Sequence, residues 1–182
     1  APHIYTDIGK KNLTAFIDSG FDNILITPNG AVHKKLTKAA FIEMGDPFQP
    51  FIFGQYSAPF RVAIQYEVPF VIYGEDGEVE YGGSMEHADR ASLSYKDFIA
   101  NRFSSVFPES FEKYGITKEE LSKYGLSQKE LKKIQDLNVE QHFFSYYHKW
   151  IPQENYYYSV EHTAFEANPV RNEGTYSKYA SL

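Results

Sequence analysis

The sequence has no cysteine, two methionines and a single tryptophan in 182 residues. Without a thiol, disulfides, thiolate catalysis and cysteine zinc sites are excluded within the chain, while the compartment is left open. No apolar stretch approaches the roughly 18 to 20 residues that cross a bilayer, so no membrane span is expected. The opening APHIYTDIGKKN lacks the basic and apolar regions of a secretory signal, and a cytoplasmic location is expected. Clustered positive charge is missing as well. The 18 Lys and Arg are scattered among 24 Asp and Glu for a net charge of −6, which argues against a nucleic-acid partner because phosphate binding draws on grouped cations. His142, His148 and His162 form no zinc-ligand motif such as HExxH, and no repeat or low-complexity tract occurs.

What is present describes a globular chain long enough for one domain with a sizeable core, with 42% hydrophobic and 23% charged residues. Aromatic residues reach 17%, with 15 Tyr and 15 Phe, enough to supply core packing or a stacking surface for sugars or bases. YYHKW followed by ENYYYS is open to both readings, as a sugar-stacking surface or as packing between a strand and a helix.

Local patterns predict an order of elements. Asp7 is the expected N-cap of a helix through about Ser19, with Leu13, Phe16 and Ile17 on one face and Gly20 as the stop. NILITP, residues 23–28, has the β-branched composition of a buried strand with a loop beyond its carboxyl end. A helix is expected over residues 31–44, with Val32, Leu36, Ala39, Ala40 and Ile42 at mainly helical spacing, and Gly45-Asp46-Pro47 closing it. Another is predicted from Ala58 to Tyr66, with Pro59 in its first turn. VPFVIYG (68–74) is a second buried strand, HFFSYYHKW (142–150) a third, and a helix follows from about Gln153 to His162. Between the last two strands, Thr117 and Ser127 each begin a Thr/Ser-x-x-Glu pattern, marking a small charged helical insertion around residues 94–138. Alternation of apolar strands with amphipathic helices predicts an α/β fold with βαβ units and a parallel sheet.

In such sheets ligands bind beyond the carboxyl ends of the strands. Thr27-Pro28-Asn29-Gly30 and Gly74-Glu75-Asp76-Gly77-Glu78-Val79-Glu80-Tyr81-Gly82-Gly83 occupy that position, as does Trp150-Ile151-Pro152. Clustered carboxylates there could hold Mg²⁺, directly or through water, and present it to nucleotide phosphates; a solvated acidic turn is the other reading. His33 and His87 are candidates for a base or a ligand, or for surface or hydrogen-bonded structural histidines. Arg171 and Lys178, in RNEGTYSKYASL, could clamp a phosphate or stabilise developing negative charge. Gln55, in PFIFGQ, could contact substrate or cap a helix.

PHIYTDIGKKN, FDNILITPNGAVHKKLT, DPFQPFIFGQ, VIYGEDGEVEYGG and EGTYSKYASL together resemble the N-acetyl sugar amidotransferases of bacterial lipopolysaccharide and surface-polysaccharide synthesis, within the PP-loop ATP pyrophosphatase superfamily. The resemblance covers nearly the whole chain. It implies a single partial domain over residues 1–182, a Rossmann-like parallel sheet with helices on both faces, and ATP with Mg²⁺ as cofactors. The implied reaction adenylates the acetamido oxygen of a nucleotide-linked sugar and displaces AMP with ammonia to leave an acetamidino group. Ammonia would come from a glutaminase subunit with a cyclase-like partner. A more distant similarity to the GEGxDExxGG motif of asparagine synthetases sets Gly74, Glu75, Glu80, Gly82 and Gly83 against Mg²⁺ and pyrophosphate, although the acidic spacing differs. On that reading Glu75 and Glu80 are the metal ligands and share the catalytic role with Lys178, while Thr27, Asn29 and Arg171 contact the nucleotide and Gln55 the sugar.

The superfamily's pyrophosphate loop, SGGxDS, is absent; DSG at Asp18 to Gly20 closes a helix instead of opening one. The resemblance places that loop upstream of APHIY, together with a cysteine-rich segment able to bind zinc outside this chain. An internal fragment of a longer protein is therefore expected, one that alone binds ATP poorly, has no turnover and exposes a hydrophobic sheet edge. Two further readings stay open: a non-catalytic sugar- or partner-binding domain, and a carbohydrate hydrolase using Glu75 and Glu80 across a sugar.

Overall fold

A computed structural model describes residues 5–74 and 107–171, together with the backbone of residues 92–93. The chain divides into two compact units, one over residues 27–149, the other formed by residues 2–26 and 150–182. Among the described residues it is a mixed α/β structure, mostly helical, with one small open sheet.

In the larger unit, α2 (Gly30–Met44) buries Val32, Leu36, Ala39 and Ala40 along its predicted face and ends at Gly45. Ile42, predicted for that face, is exposed. Gly45 has φ 72°, a left-handed conformation that costs glycine little. Asp46 Oδ1 then accepts the Phe48 N–H at 2.8 Å and turns the chain into α3.

Helix α3 (Gln49–Tyr66) starts nine residues before the expected Ala58, with Pro50 in its first turn and Pro59 in its interior. Proline has no N–H, so Pro59 cannot supply the i→i−4 bond to the Gln55 carbonyl. The Tyr73 hydroxyl donates to that carbonyl at 3.3 Å. A strand side chain thus meets the break in the helical ladder, and the helix continues past its proline.

Tyr73 belongs to β1 (Phe70–Tyr73), which pairs in parallel with β3 (Glu140–Phe143) in the register Phe70↔Glu140 to Tyr73↔Phe143. A short β2 (Ser92–Leu93), not foreseen from sequence, pairs antiparallel with the other side of β3. The order is β1-β3-β2, so the sheet is mixed and β3 is central. Residues at period 2 share a face. Tyr73 and Phe143 are buried and pack with Val71 and Tyr56 of α3, while Phe70 and Ile72, on the opposite face, are exposed.

The helical segment between β2 and β3 contributes to the core. Its described part holds a 3₁₀ helix (Pro108–Tyr114), α4 (Lys118–Leu121) and α5 (Gln128–Asp136). Phe111, Ile116, Leu121, Tyr124 and Ile134 join Leu36, Phe53 and Phe60 in one buried cluster. Both predicted helix starts form complete capping boxes, Thr117 with Glu120 and Ser127 with Glu130. Arg61 of α3 ties the two helices together. Its Nε meets Glu130 Oε1 at 2.8 Å, Nη1 donates to the Lys123 carbonyl at 3.0 Å, and Nη2 donates to the Ser122 and Gly125 carbonyls. A cation at the carbonyls leaving α4 also suits the negative end of the helix. Burial pushes the Glu130 carboxyl up, yet hydrogen bonds from Ser127 and Arg61 hold it below the ordinary carboxylate range.

The third strand lies earlier than expected. Asn138 takes a left-handed turn after α5. The Glu140 N–H then bonds the Pro69 carbonyl at 2.9 Å, which starts the ladder with β1. After Phe143 the chain forms one helical turn, α6 (Phe144–Tyr147), where strand was predicted.

In the smaller unit, α1 (Asp7–Ile17) is capped by Thr6, whose Oγ1 accepts the Gly9 N–H at 3.0 Å; the expected cap, Asp7, is the first helical residue. Its predicted apolar face is not a core face, for only Ala15 is buried while Phe16 and Ile17 are exposed. The Asn12 carboxamide bonds both backbone groups of Glu166, at 3.0 and 2.9 Å, and Lys11 pairs with the Glu166 carboxylate at 3.3 Å. Helix α7 (Pro152–His162) matches its prediction within one residue, and Tyr156 packs edge-on against Phe165.

Residues 23–28 form no strand. Ile24, Leu25 and Ile26 are 52, 69 and 54% exposed. An extended segment needs a neighbour for its N–H and C=O groups, and no strand among the described residues pairs with this one. Its β propensity alone does not fold it.

Candidate functional site

Parallel pairing brings the carboxyl ends of β1 and β3 side by side, with Gly74 leaving one strand and Phe144 the other. Gly74 is exposed, and among the described residues, its chain neighbours aside, no atom lies within 4 Å of the position a side chain would take. The acidic segment starts immediately beyond it. Glu75, Glu80, Gly82 and Gly83 lie outside the described residues, as do Lys178 and His87.

The remaining sequence candidates separate. Gln55 sits in mid-helix, away from any cap, half-buried, with its carbonyl bound by Tyr73 one residue before Gly74. Thr27 is exposed and precedes α2. Asn29 is the cap of α2, its Oδ1 accepting the N–H groups of Ala31 at 3.0 Å and Val32 at 3.4 Å. That oxygen is already engaged in holding a helix end. Arg171 is exposed and belongs to the other unit. Among the described residues, no three His, Asp or Glu side chains converge where a metal ion could sit.

His33 takes the structural alternative. It is buried, with Nδ1 3.1 Å from the hydroxyl of Tyr124, whose phenol burial pushes up to about 12. Tyr146, Tyr147, Tyr157 and Tyr158 are exposed.

One constellation was missed from sequence. Glu140 and His142, two apart on β3, share the face carrying Phe70 and Ile72, and Glu140 Oε2 lies 3.1 Å from His142 Nε2. His142 is buried, with the Phe70 ring 4.3 Å away. Its Nδ1 is hydrogen-bonded to the hydroxyl of Tyr147, whose ring stacks on the imidazole at 26°. In the strand expected over 142–150, an odd offset of five would have sent Tyr147 to the opposite face. The helical turn α6 folds it back. Glu-x-His on a strand was the visible half of the signal.

The smaller unit holds an open cleft of about 780 Å³ lined by residues that include Lys10, Thr14, Asp18, Glu161, His162 and Glu166. Its walls mix both signs of charge and select no ligand class. No family model matches the chain, and no curated protein matches it.

Proposed function

We propose that this chain is part of an ATP-dependent amidotransferase that converts the acetamido group of a nucleotide-linked sugar to an acetamidino group in bacterial surface-polysaccharide synthesis. The observation that carries this reading is the position of the acidic, glycine-bounded segment. It begins at Gly74, the carboxyl end of a strand paired in parallel with its neighbour, where α/β sheets bind nucleotides. The uncovered run Ile24 to Ile26 also supports it, since a Rossmann-like sheet extended by a preceding strand would pair and bury such a segment.

In this reading Glu75 and Glu80 would hold Mg²⁺, which supplies charge neutralisation at the pyrophosphate. Arg171 and Lys178 would meet phosphate oxygens, and Gln55 the sugar. Thr27 would line the nucleotide side, with Asn29 serving first as the cap of α2. A glutaminase and a cyclase-like subunit would deliver ammonia, and the reaction would run in the cytoplasm.

The upstream coding sequence tests the assignment directly: an SGGxDS loop ahead of APHIY is expected. Its absence would favour a non-catalytic binding domain. In the loop-containing protein, Glu75→Gln should fold normally and lose ATP-dependent amidation; turnover retained at saturating ATP and Mg²⁺ would remove Glu75 from the site. The chain alone should show no ATP binding by calorimetry at millimolar nucleotide, and tight binding there would overturn its dependence on the missing loop.

A further inference from the structure

We propose that Glu140, His142 and Tyr147 form a proton-accepting relay on the open face of the sheet, with the Tyr147 hydroxyl as the group that meets a protic nucleophile, an amine or an alcohol. The inference goes beyond the amidation reading. It stands on a hydroxyl in hydrogen-bond reach of an imidazole whose other nitrogen is oriented by a carboxylate, the arrangement that activates side-chain hydroxyls on unrelated folds.

The direction of the relay follows from its donors. A carboxylate only accepts hydrogen bonds, so the hydrogen between Glu140 and His142 sits on Nε2. Neutral imidazole then has its lone pair on Nδ1, and the Tyr147 hydroxyl donates to it. When a nucleophile N–H or O–H gives its proton to the Tyr147 oxygen, the phenolic proton passes to Nδ1. The imidazolium that results faces the Glu140 carboxylate. Charge and protons balance without any further reactant.

The setting suits this work. His142 is buried under Phe70, which limits competing water at the imidazole, while Tyr147 is 55% exposed and reachable. Glu140 and His142 are positioning residues here, since only Tyr147 would touch the substrate. Should the amidation reading hold, the protic nucleophile would be the attacking ammonia, and that last assignment alone rests on it.

The test is chemical and needs neither ATP nor sugar. N-Acetylimidazole acetylates tyrosine: the phenolic oxygen attacks the acetyl carbon, the C–N bond breaks to release imidazole, and in the relay the phenolic proton passes through His142 and ends on the departing imidazole. Tyr146 is an internal control, because it adjoins Tyr147 and is equally exposed at 55%. Peptide mass spectrometry should show Tyr147 acetylated about tenfold faster than Tyr146 or more, given the rate contribution of a positioned base. His142→Gln can still hydrogen-bond the phenol but cannot take its proton, and should bring the ratio near one. Glu140→Gln should reduce it several-fold, with circular dichroism showing both variants folded. Equal or slower labelling of Tyr147 in the native protein overturns the relay, and so does a raised ratio that survives both substitutions. If His142→Gln does not fold, Glu140→Gln decides the question, its side chain being half exposed at 50%.

Discussion

Replacing Arg61 with alanine should lower the stability of the protein by about 3 kcal/mol, most of it from two half-buried contacts of the guanidinium, those with Glu130 and the Gly125 carbonyl. Hydrogen bonds involving a charged group contribute about 1.5 to 3 kcal/mol each, while the more exposed bonds to Ser122 and Lys123 add little because water replaces them. Urea unfolding followed by circular dichroism measures the loss. Arg61→Lys keeps the charge but not the planar fork that reaches four acceptors, and should recover less than half of it. The acid limb provides a second measurement. Glu130 has its folded pKa below the unfolded value of about 4.3, so its contribution is fully present above that value and is lost as pH falls through the folded one. Arg61→Ala should flatten that part of the stability profile, because one of the groups holding the carboxyl down is gone. A loss under about 1 kcal/mol, or a lysine variant equal to the native protein, would refute the view that this guanidinium joins α3 to the two capped helices.

Tyr73→Phe should cost about 1 kcal/mol in the same assay, and that cost should fall by more than half in a Pro59→Ala background, where a restored N–H competes for the Gln55 carbonyl; equal costs in both backgrounds would break the link. Gln141 is fully buried on the central strand with neither carboxamide atom hydrogen-bonded among the described residues, so Gln141→Leu, of similar volume, should raise stability by about 1 to 2 kcal/mol. A loss on that substitution would mean that the amide is satisfied in solution.

The parts of this fold that were legible in the sequence are those fixed by a few neighbouring residues. Thr117 and Ser127 start helices as their patterns indicate, because a capping box closes within four residues and needs no tertiary partner. Gly45 stops α2 for a similarly local reason. Where partners decide, the sequence misled. Residues 23–28 have the composition of a buried strand, but no strand among the described residues pairs with them, and Asn23 to Thr27 remain exposed. Pro59 suggested a helix start, because the compensating donor, Tyr73, sits fourteen residues away on a strand. The site shows the same division. Glu140 and His142 could be placed on one face by their spacing, whereas Tyr147 joins them only through a helical turn inside a run of aromatic residues.

The bond between Tyr73 and the Gln55 carbonyl also acts as a register mark for the strand that leads to the acidic segment. A slip of β1 by one residue would turn Tyr73 toward the open face and remove the hydroxyl from α3, so only one alignment answers the gap left by Pro59. Positions 59 and 73 should therefore change together among related sequences: where proline gives way to a residue with an N–H, the tyrosine hydroxyl becomes dispensable, and phenylalanine should take its place.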